Sequence, residues 1–218
     1  MTSPLPAQLP VVAPRRPQQA RSRASLDRVL AAARDLLARN GYDGFTLLEV
    51  SQQAQVSIGS IYGRVTGKED LIRLVHAAVV ADLAAEEDAL LTSLHDAADM
   101  SVLLTAFLSG FGDLLRRYGP SLRPLMLRAN SDRLIGEAGV QAYHRFFEQA
   151  VALILGHARD IRHPDPEKAV RFCLFIAYSA FRNALGLGST QGESRDQDWE
   201  GLKADVTGMC LAHLGIAA

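Results

Sequence analysis

The sequence predicts an all-α protein, with a small three-helix unit near its N-terminal end and a larger helical domain after it. Through most of the chain, apolar residues recur at the i, i+3, i+4 and i+7 spacing of amphipathic helices. Within residues 45–64, two helix-start signals lie about ten residues apart, the usual scale of two helices joined by a tight turn. No segment alternates apolar and polar residues over a length that would favour a β-strand.

The charge distribution separates the first third of the chain from the rest. The 218 residues allow one or two domains, and 48% hydrophobic and 22% charged residues are ordinary for a globular protein. Between Arg15 and Lys68 there are nine Lys or Arg and four Asp or Glu, a balance of +5, whereas the residues from Glu69 onward carry −6. A basic N-terminal third favours contact with a polyanion there. The two cysteines, Cys173 and Cys210, have neither a disulfide nor a metal-binding spacing and fit a reducing cytoplasm.

Residues 1–20 are predicted to form a disordered tail, because they contain five of the nine prolines and carry no charge before Arg15. They lack the basic start and the apolar core of a signal peptide. We expect Arg21 and Arg23 to form a basic arm that contacts phosphates or a minor groove, and a purely solvated tail is the alternative. The roles of Arg15 and Arg16 stay open.

A first helix is predicted over Ser25–Asn40, where an Asn-Gly pair supplies the C-cap. Two short helices are predicted to follow it. Thr46 and Glu49 form a capping box at the start of the first short helix, because each side chain can accept from the other residue's backbone amide. Ser57 is a good N-cap for the second short helix.

The second short helix carries small residues. Gly59 and Gly63 each cost about 1 kcal/mol relative to alanine inside a helix, so the close approach of another molecule to this backbone would explain them. Ser60 and Tyr62 add hydroxyl groups that can donate to phosphate. A DNA groove fits these features, and so does a small αα-hairpin packed tightly on its own core.

Residues 56–71, V-S-I-G-S-I-Y-G-R-V-T-G-K-E-D-L, resemble the signature of the TetR (tetracycline-repressor) family of bacterial regulators, and the resemblance extends over residues 21–72. Two positions depart from the family pattern. Val65 replaces the usual phenylalanine, which should loosen the packing under the recognition helix. Ile58 stands where a lysine is common, so one base or phosphate contact is expected to be absent. The resemblance implies a helix-turn-helix DNA-binding domain over 21–72 and a ligand-binding and dimerisation domain over 73–218.

The predicted DNA-contacting residues come from the basic arm, the two helix starts, the second short helix and the start of the next helix. They are Arg21, Arg23, Thr46, Ser57, Ile58, Gly59, Ser60, Tyr62, Gly63 and Lys68. Lys68 lies at a helix N-terminus, where the helix dipole disfavours a cation, so a nearby phosphate would stabilise it. An ordinary exposed lysine is the alternative. The helix that starts there is predicted to be capped by Thr66 or Gly67.

Beyond Lys68 every strong segment has a helical pattern. Gly119-Pro120 is expected to stop one helix, and the prolines at 164 and 166 to separate two others. The predicted segments are Lys68–Leu94, Met100–Tyr118, Ser121–Ala129, Asp132–Arg159, a helix that starts at Asp165 or Pro166, and Asp198–Leu214. No segment is long and apolar enough to cross a membrane. The resemblance implies that the first of these helices transmits ligand binding through a pendulum-like tilt.

The segment Phe172–Phe181 is apolar on nearly all sides and must therefore be covered on all sides. We expect its own core to cover one face and a second copy of the chain to cover the other, in a four-helix interface with the last helix. A monomer with both helices internal is the alternative. The predicted interface residues are Phe172, Ile176, Trp199, Leu202, Val206 and Met209.

An effector pocket is expected among the apolar helices of the larger domain, although ordinary core is the alternative for most of its candidate residues. They are Phe107, Phe111, Leu114, Met126, Tyr143, Phe147 and Phe175. No cofactor or metal is expected, because no two of the six histidines stand at i, i+4 beside a third ligand. No nucleophile–base pair, phosphate loop or paired carboxylates favour an enzyme.

The sequence therefore predicts a cytoplasmic, homodimeric transcriptional repressor that binds a pseudo-palindromic double-stranded DNA operator. A small apolar or amphipathic effector would release it, and no membrane partner is expected. The alternative is a small all-helical carrier or enzyme that does not use DNA. Salt-dependent DNA binding separates the two, because phosphate neutralisation makes affinity fall steeply with salt.

Overall fold

The computed structural model describes residues 16–187 and 198–216, and this part of the chain contains α-helices and no strand, which confirms the predicted all-α class. The helices are α1 (Arg16–Asn40), α2 (Leu47–Ala54), α3 (Ile58–Tyr62), α4 (Lys68–Ser93), α5 (Met100–Ala129), α6 (Arg133–Leu155), a short 3₁₀ turn (Ala158–Asp160), α7 (Pro166–Ala184) and α8 (Trp199–Leu214). None of the helices described combines the length and the apolar composition needed to cross a membrane.

Helix α1 begins at Arg16 rather than at the predicted Ser25, so the last five residues of the predicted disordered tail are helical. Residues 1–15 of that tail, including Arg15, lie outside the described residues. The proline-rich composition led to a start that is too late, because Pro17 falls in the first turn, where a helix tolerates proline.

Helix α5 corrects a second prediction. The sequence was expected to break at Gly119-Pro120, but one helix runs through both Pro120 and Pro124. Each proline removes one intrahelical hydrogen bond, which normally favours a break. Packing offsets that loss, because Tyr118 before the prolines and Leu125 after them are both buried in the same core.

The other predicted helix starts are confirmed by their caps. The Asp132 carboxylate accepts from the amides of Leu134 and Ile135 at the start of α6, at 3.1 and 3.4 Å. Asp165 accepts from Lys168 at the start of α7, at 3.1 Å, and Asp198 accepts from Gly201 at the start of α8, at 3.0 Å. The α6 helix ends at Leu155, earlier than the predicted Arg159, and α4 is capped by Gly67, one of the two predicted residues.

Two hydrophobic cores organise these helices. The small core joins α1, α2, α3 and the first half of α4, and it also takes in Tyr118 and Leu125 of α5 and Ile135 of α6. The large core joins the rest of α5 and α6 with α7 and α8. Helices α5 and α6 therefore contribute to both cores, so the small N-terminal unit is packed directly on the larger domain.

Candidate functional site

The α2–turn–α3 segment has the local geometry that its sequence predicts. The amide of Glu49 donates to Oγ1 of Thr46 at 3.2 Å, and the amide of Thr46 donates to Oε2 of Glu49 at 2.7 Å, which confirms the capping box. Gln55 adopts a left-handed conformation, with φ of 53°, and closes the turn. The amide of Ser60 then donates to Oγ of Ser57 at 3.3 Å and caps α3. The hydroxyl of Thr46 is thus engaged by its own helix.

Helix α3 is anchored by one side and open on the other. Ile61 is buried in the small core, and Val65, after the helix, is buried beside it. Ile58 is half-buried against the same core. Ser57, Gly59, Ser60, Tyr62 and Gly63 are exposed, with 57% of Tyr62 accessible.

The two glycines of this face are not explained by packing inside the chain. A Cβ placed on Gly59 would meet nothing within 4 Å. A Cβ on Gly63 would lie 3.6 Å from the carbonyl oxygen of Gly59, which is an ordinary contact. The alternative of a hairpin packed tightly on its own core therefore does not account for Gly59.

Arg64, which the sequence did not single out, fixes the end of α3 to the beginning of α1. Its Nη2 donates to the carbonyl oxygen and to Oγ of Ser22, both at 3.0 Å, and its Nη1 donates to Oγ of Ser25 at 3.3 Å. The contact joins residues about 40 positions apart in sequence, and no local pattern could reveal it. Arg21 and Arg23 are exposed on the same end of α1.

Lys68 is held by its own domain. Its Nζ donates to the carbonyl oxygen of Phe45 at 2.5 Å and lies 4.2 and 4.8 Å from the ring centroids of Phe45 and Tyr42. Burial lowers the pKa of Lys68 from its usual value. The ammonium group is half-buried, so a phosphate contact would have to be made in addition to these interactions.

A cavity of about 520 Å³ lies among α4, α5, α6 and α7. Four of the seven predicted pocket residues line it, namely Phe111, Met126, Tyr143 and Phe147. The other three do not. Phe107 and Leu114 are buried elsewhere in the larger domain, and Phe175 is 56% exposed on α7.

His76, Glu87 and Tyr178, which also line the cavity, were not predicted from the sequence, because their neighbours are set by the tertiary packing. Burial raises the pKa of Glu87 to about 7, although the nearby Arg145 opposes this shift. Burial lowers the pKa of His76, and it raises the pKa values of Tyr143 and Tyr178. Three of these groups, the imidazole and the two phenols, are therefore uncharged at neutral pH.

An apolar face on α7 and α8 is open to solvent. Phe172 is 49% exposed, Phe175 and Met209 are also exposed, and Ile176 and Leu202 are half-buried. We call the set of Phe172, Phe175, Ile176, Leu202 and Met209 the α7–α8 face.

Two of the predicted interface residues, Trp199 and Val206, are buried inside their own chain instead. Trp199 is buried against Phe181, with 5.5 Å between the ring centroids, and its Nε1 donates to Oδ1 of Asp113 at 3.0 Å. Val206 is buried in the large core. Both residues lie on the inner side of α8, so their own chain covers them.

In the part of the chain that the structure describes, no group of three or more His, Cys, Asp or Glu side chains is placed to hold a metal ion. What the described geometry offers instead is a capped helix-turn-helix with an exposed second helix, on an all-helical body that contains a partly open cavity. These features define the class of helix-turn-helix DNA-binding proteins.

The comparisons with known proteins agree with this class. Residues 29–75 match the sequence model of the family described as bacterial regulatory proteins, tetR family. No curated protein matches the sequence. The helix-turn-helix domain of this chain is therefore that of the TetR family, and the whole chain has the fold of TetR-family transcriptional regulators.

Solved structures resemble the chain over most of its length. A protein from Mesorhizobium loti described as a TetR-family transcriptional regulator has a TM-score of 0.74 at 19% identity, covering 89% of this chain and 97% of its own. A transcriptional regulator from Rhodococcus sp. has a TM-score of 0.67 at 20% identity, covering 89% and 100%. The fatty acid degradation regulator FadR from Bacillus halodurans has a TM-score of 0.65 at 15% identity, covering 88% and 97%.

Proposed function

We propose that this protein is a ligand-responsive transcriptional repressor that binds a pseudo-palindromic operator as a homodimer. The observation that carries the proposal is the open face of α3, where a Cβ added to Gly59 would meet no other part of the described chain within 4 Å and Tyr62 is exposed. A short helix held by one buried residue and bare on its other side is suited to enter a major groove.

The chemistry of the α3 face suits a sugar–phosphate wall. Glycines leave the backbone accessible, and the hydroxyl groups of Ser57, Ser60 and Tyr62 can donate to phosphate oxygens. Arg21 and Arg23 add positive charge at the end of α1 that Arg64 holds against α3. The balance of +5 over residues 15–68 supports the same partner.

The α7–α8 face supports the proposed dimer. Large apolar side chains exposed on two helices that pack together are unfavourable in water, and a second copy of the face would cover them. One short helix makes few base contacts, whereas two related by a two-fold axis read two half-sites about 34–36 Å apart.

The cavity supports control by a small molecule, because its wall is shared with the small core. Leu125 and Ile135 line the cavity and also pack in the small core. A ligand that shifts either residue changes the packing under α1 and α4, and it acts through its differential affinity for two arrangements.

An ionic path joins the same regions. Asp132, at the start of α6, accepts from Nε of Arg73 at 2.9 Å. Arg73 also donates to Oδ1 of Asp70 at 3.2 Å, and the other oxygen of Asp70 accepts from the amide of Thr66 at 3.1 Å. Movement of the α5–α6 connection would therefore be transmitted to Thr66, which follows α3 in the chain.

Selection of bound DNA from a random double-stranded pool tests the proposal. We expect enrichment of one two-fold symmetric motif, with an affinity that falls steeply as salt increases. The Tyr62→Ala protein, carried through the same selection, serves as the control for binding through α3. Failure to enrich any motif, or enrichment of a single asymmetric half-site by a monomer, would contradict the proposal.

A further inference from the structure

The cavity contains two kinds of polar group, which differ in whether the chain already satisfies them. Oε2 of Glu87 accepts from Nη2 of Arg145 at 2.9 Å, and Nε of Arg182 donates to the carbonyl oxygen of Leu187 at 2.6 Å. The Glu87 carboxylate is therefore paired with a cation of the chain, and Arg182 is anchored through Nε to a backbone carbonyl.

His76 is different. Only 8% of this residue is exposed, and among residues 16–187 and 198–216 neither of its ring nitrogens has a hydrogen-bond partner. Among the described residues, every buried side-chain nitrogen or oxygen that water cannot reach has a hydrogen-bond partner. The unpartnered nitrogens of His76 must therefore be accessible, and they open onto the cavity or the adjoining groove between α4 and α6. A Cβ on Gly139 would lie 3.9 Å from Nε2 of His76, so the missing side chain of Gly139 leaves room beside that atom.

Two further groups share this property. The hydroxyls of Tyr143 and Tyr178 line the cavity, and nothing in the described segments hydrogen-bonds to either of them. Their rings lie 5.0 Å apart, and the Tyr143 ring stacks on Phe147 at 4.2 Å. These polar atoms are therefore free to hydrogen-bond to a ligand that enters the cavity, in place of the water that reaches them otherwise.

We propose that the effector is an uncharged molecule with a flat, ring-rich apolar body, whose hydroxyl or carbonyl group hydrogen-bonds to His76. The inference rests on the proposed function, in which this cavity is the effector site. The aromatic wall accommodates the body, and His76 together with the two phenols supplies neutral donors and acceptors.

Charge selects this class over its competitors. Because burial lowers the pKa of His76, the neutral imidazole offers one donor and one acceptor and no charge for an anion. Arg182, the arginine that also lines the cavity, is exposed, so water and salt screen its charge. A cationic ligand would have to compete with Arg145 for the buried Glu87 carboxylate, and Arg145 would then keep only its more exposed partner, Asp88.

The position of His76 gives such a bond a consequence for DNA binding. His76 lies on α4 between Val75 and Val79, both fully buried in the small core that supports α3. A ligand bonded to His76 therefore acts on the helix that carries the DNA-binding unit.

A matched set of fluorescent probes tests the ligand class. The full chain is titrated with pyrenemethanol, methylpyrene, pyrenecarboxylate and pyrenemethylammonium, which share one ring system and differ in a single substituent. We expect pyrenemethanol to bind at least about fivefold more tightly than methylpyrene and more tightly than both ions. Equal or tighter binding of either ion, equal binding of all four, or no binding by any of them overturns the inference.

Two variants locate the bond. His76→Leu should lower the affinity for pyrenemethanol to that for methylpyrene and leave methylpyrene binding unchanged. Gly139→Ala places a methyl group beside Nε2 of His76 and should lower the affinity for pyrenemethanol more than the affinity for methylpyrene. Because this variant keeps the imidazole, it still tests the bond if the His76→Leu protein does not fold. Val102→Ala, exposed on α5 and outside the cavity, is the control. Unchanged discrimination in both variants would remove His76 from the site.

The two proposals fail separately. A symmetric DNA motif together with no preference for pyrenemethanol overturns the ligand class alone. Preference for pyrenemethanol by a protein that selects no DNA motif overturns the proposed regulator and leaves the cavity assignment standing.

Discussion

The α3 face and the α7–α8 face are both open to solvent, yet their compositions are opposite. The α3 face exposes glycines, serines and one tyrosine, whereas the α7–α8 face exposes Phe172, Phe175 and Met209. Small and hydroxyl-bearing residues gain little from being covered by an apolar surface, but they leave backbone amides and hydroxyls free to donate. Large apolar residues gain from burial itself. The difference indicates that the two faces meet different kinds of partner, a polyanion and a second apolar surface.

The largest expected effect comes from placing charge on the α7–α8 face. Burial of one phenylalanine stabilises an association by about 1.5–3 kcal/mol, and a two-fold interface contains each residue twice. The double variant Phe172→Glu/Phe175→Glu should therefore weaken self-association by more than about 100-fold and reduce operator affinity with it. Light scattering after size-exclusion chromatography measures the change.

Val102→Glu is the matched control for this prediction, because Val102 is equally exposed but lies on α5. It should leave the oligomeric state unchanged. A double variant that stays dimeric at the concentration where the parent is dimeric would place the subunit contact elsewhere.

The second effect concerns the α3 face. Tyr62→Ala should lower affinity for the operator and for unrelated DNA by similar factors of about tenfold, since a phosphate contact carries no sequence information. Because Tyr62 is exposed, the fold should be unaffected. Tyr62→Phe isolates the hydroxyl, and fluorescence anisotropy with labelled DNA gives the affinities. Parental affinity in a folded Tyr62→Ala protein would remove the residue from the interface.

The third effect is a pH dependence of protein stability that arises at Glu87, on the wall of the cavity. Its pKa is raised from 4.5 to about 7, so the folded state holds the proton more tightly than the unfolded state. The stabilisation is fully present below the unfolded pKa and is lost as pH rises through about 7, by up to about 3 kcal/mol.

Glu87→Gln should remove this decline, because the amide cannot ionise and can still accept from Arg145. Denaturant unfolding at a fixed protein concentration, followed from about pH 5 to about pH 8, measures the difference between the two proteins. Parallel curves for the two proteins would show that Glu87 does not titrate in this range.

The smallest expected effect comes from Gly59→Ala, which should increase the stability of the protein and decrease its affinity for DNA. Gly59→Ala should raise the free energy of unfolding by up to about 1 kcal/mol, because alanine favours a helix and a Cβ there meets no protein atom. The same methyl group should lower DNA affinity if the backbone of α3 approaches the groove. Gly208→Ala on α8, where an added Cβ also meets nothing within 4 Å, is the matched control and should leave DNA affinity unchanged. Unchanged DNA affinity in a stabilised Gly59→Ala protein would mean that α3 does not approach DNA closely at this residue.

Local signals predicted much of the fold, because a cap needs only its own few residues. The Thr46–Glu49 capping box, the Ser57 cap of α3, and the aspartate caps of α7 and α8 are all formed by side chains that reach an amide three residues away. The same signals predict which residues of α3 are exposed. Once Ser57 fixes the start of the helix and Ile61 faces the core, the residues on the opposite side of α3 must face away from it.

Long-range packing explains where the sequence interpretation was wrong. Helix α5 continues through Pro120 and Pro124 because Tyr118 and Leu125 are buried on either side of the prolines. Trp199 shares an apolar stripe with exposed Met209, but its inward orientation depends on Asp113, 86 residues earlier in the chain.

The sequence by itself determined the helical class, the helix-turn-helix and the place of α3 within it, because periodicity and capping act over a few residues. The tertiary structure alone decided that α5 and α6 enter both cores, that Arg64 joins α3 to α1, and that His76, which has no hydrogen-bond partner among the described residues, lines the cavity. Those features depend on contacts between residues that are far apart in the sequence, and these contacts form only when the helices pack against one another.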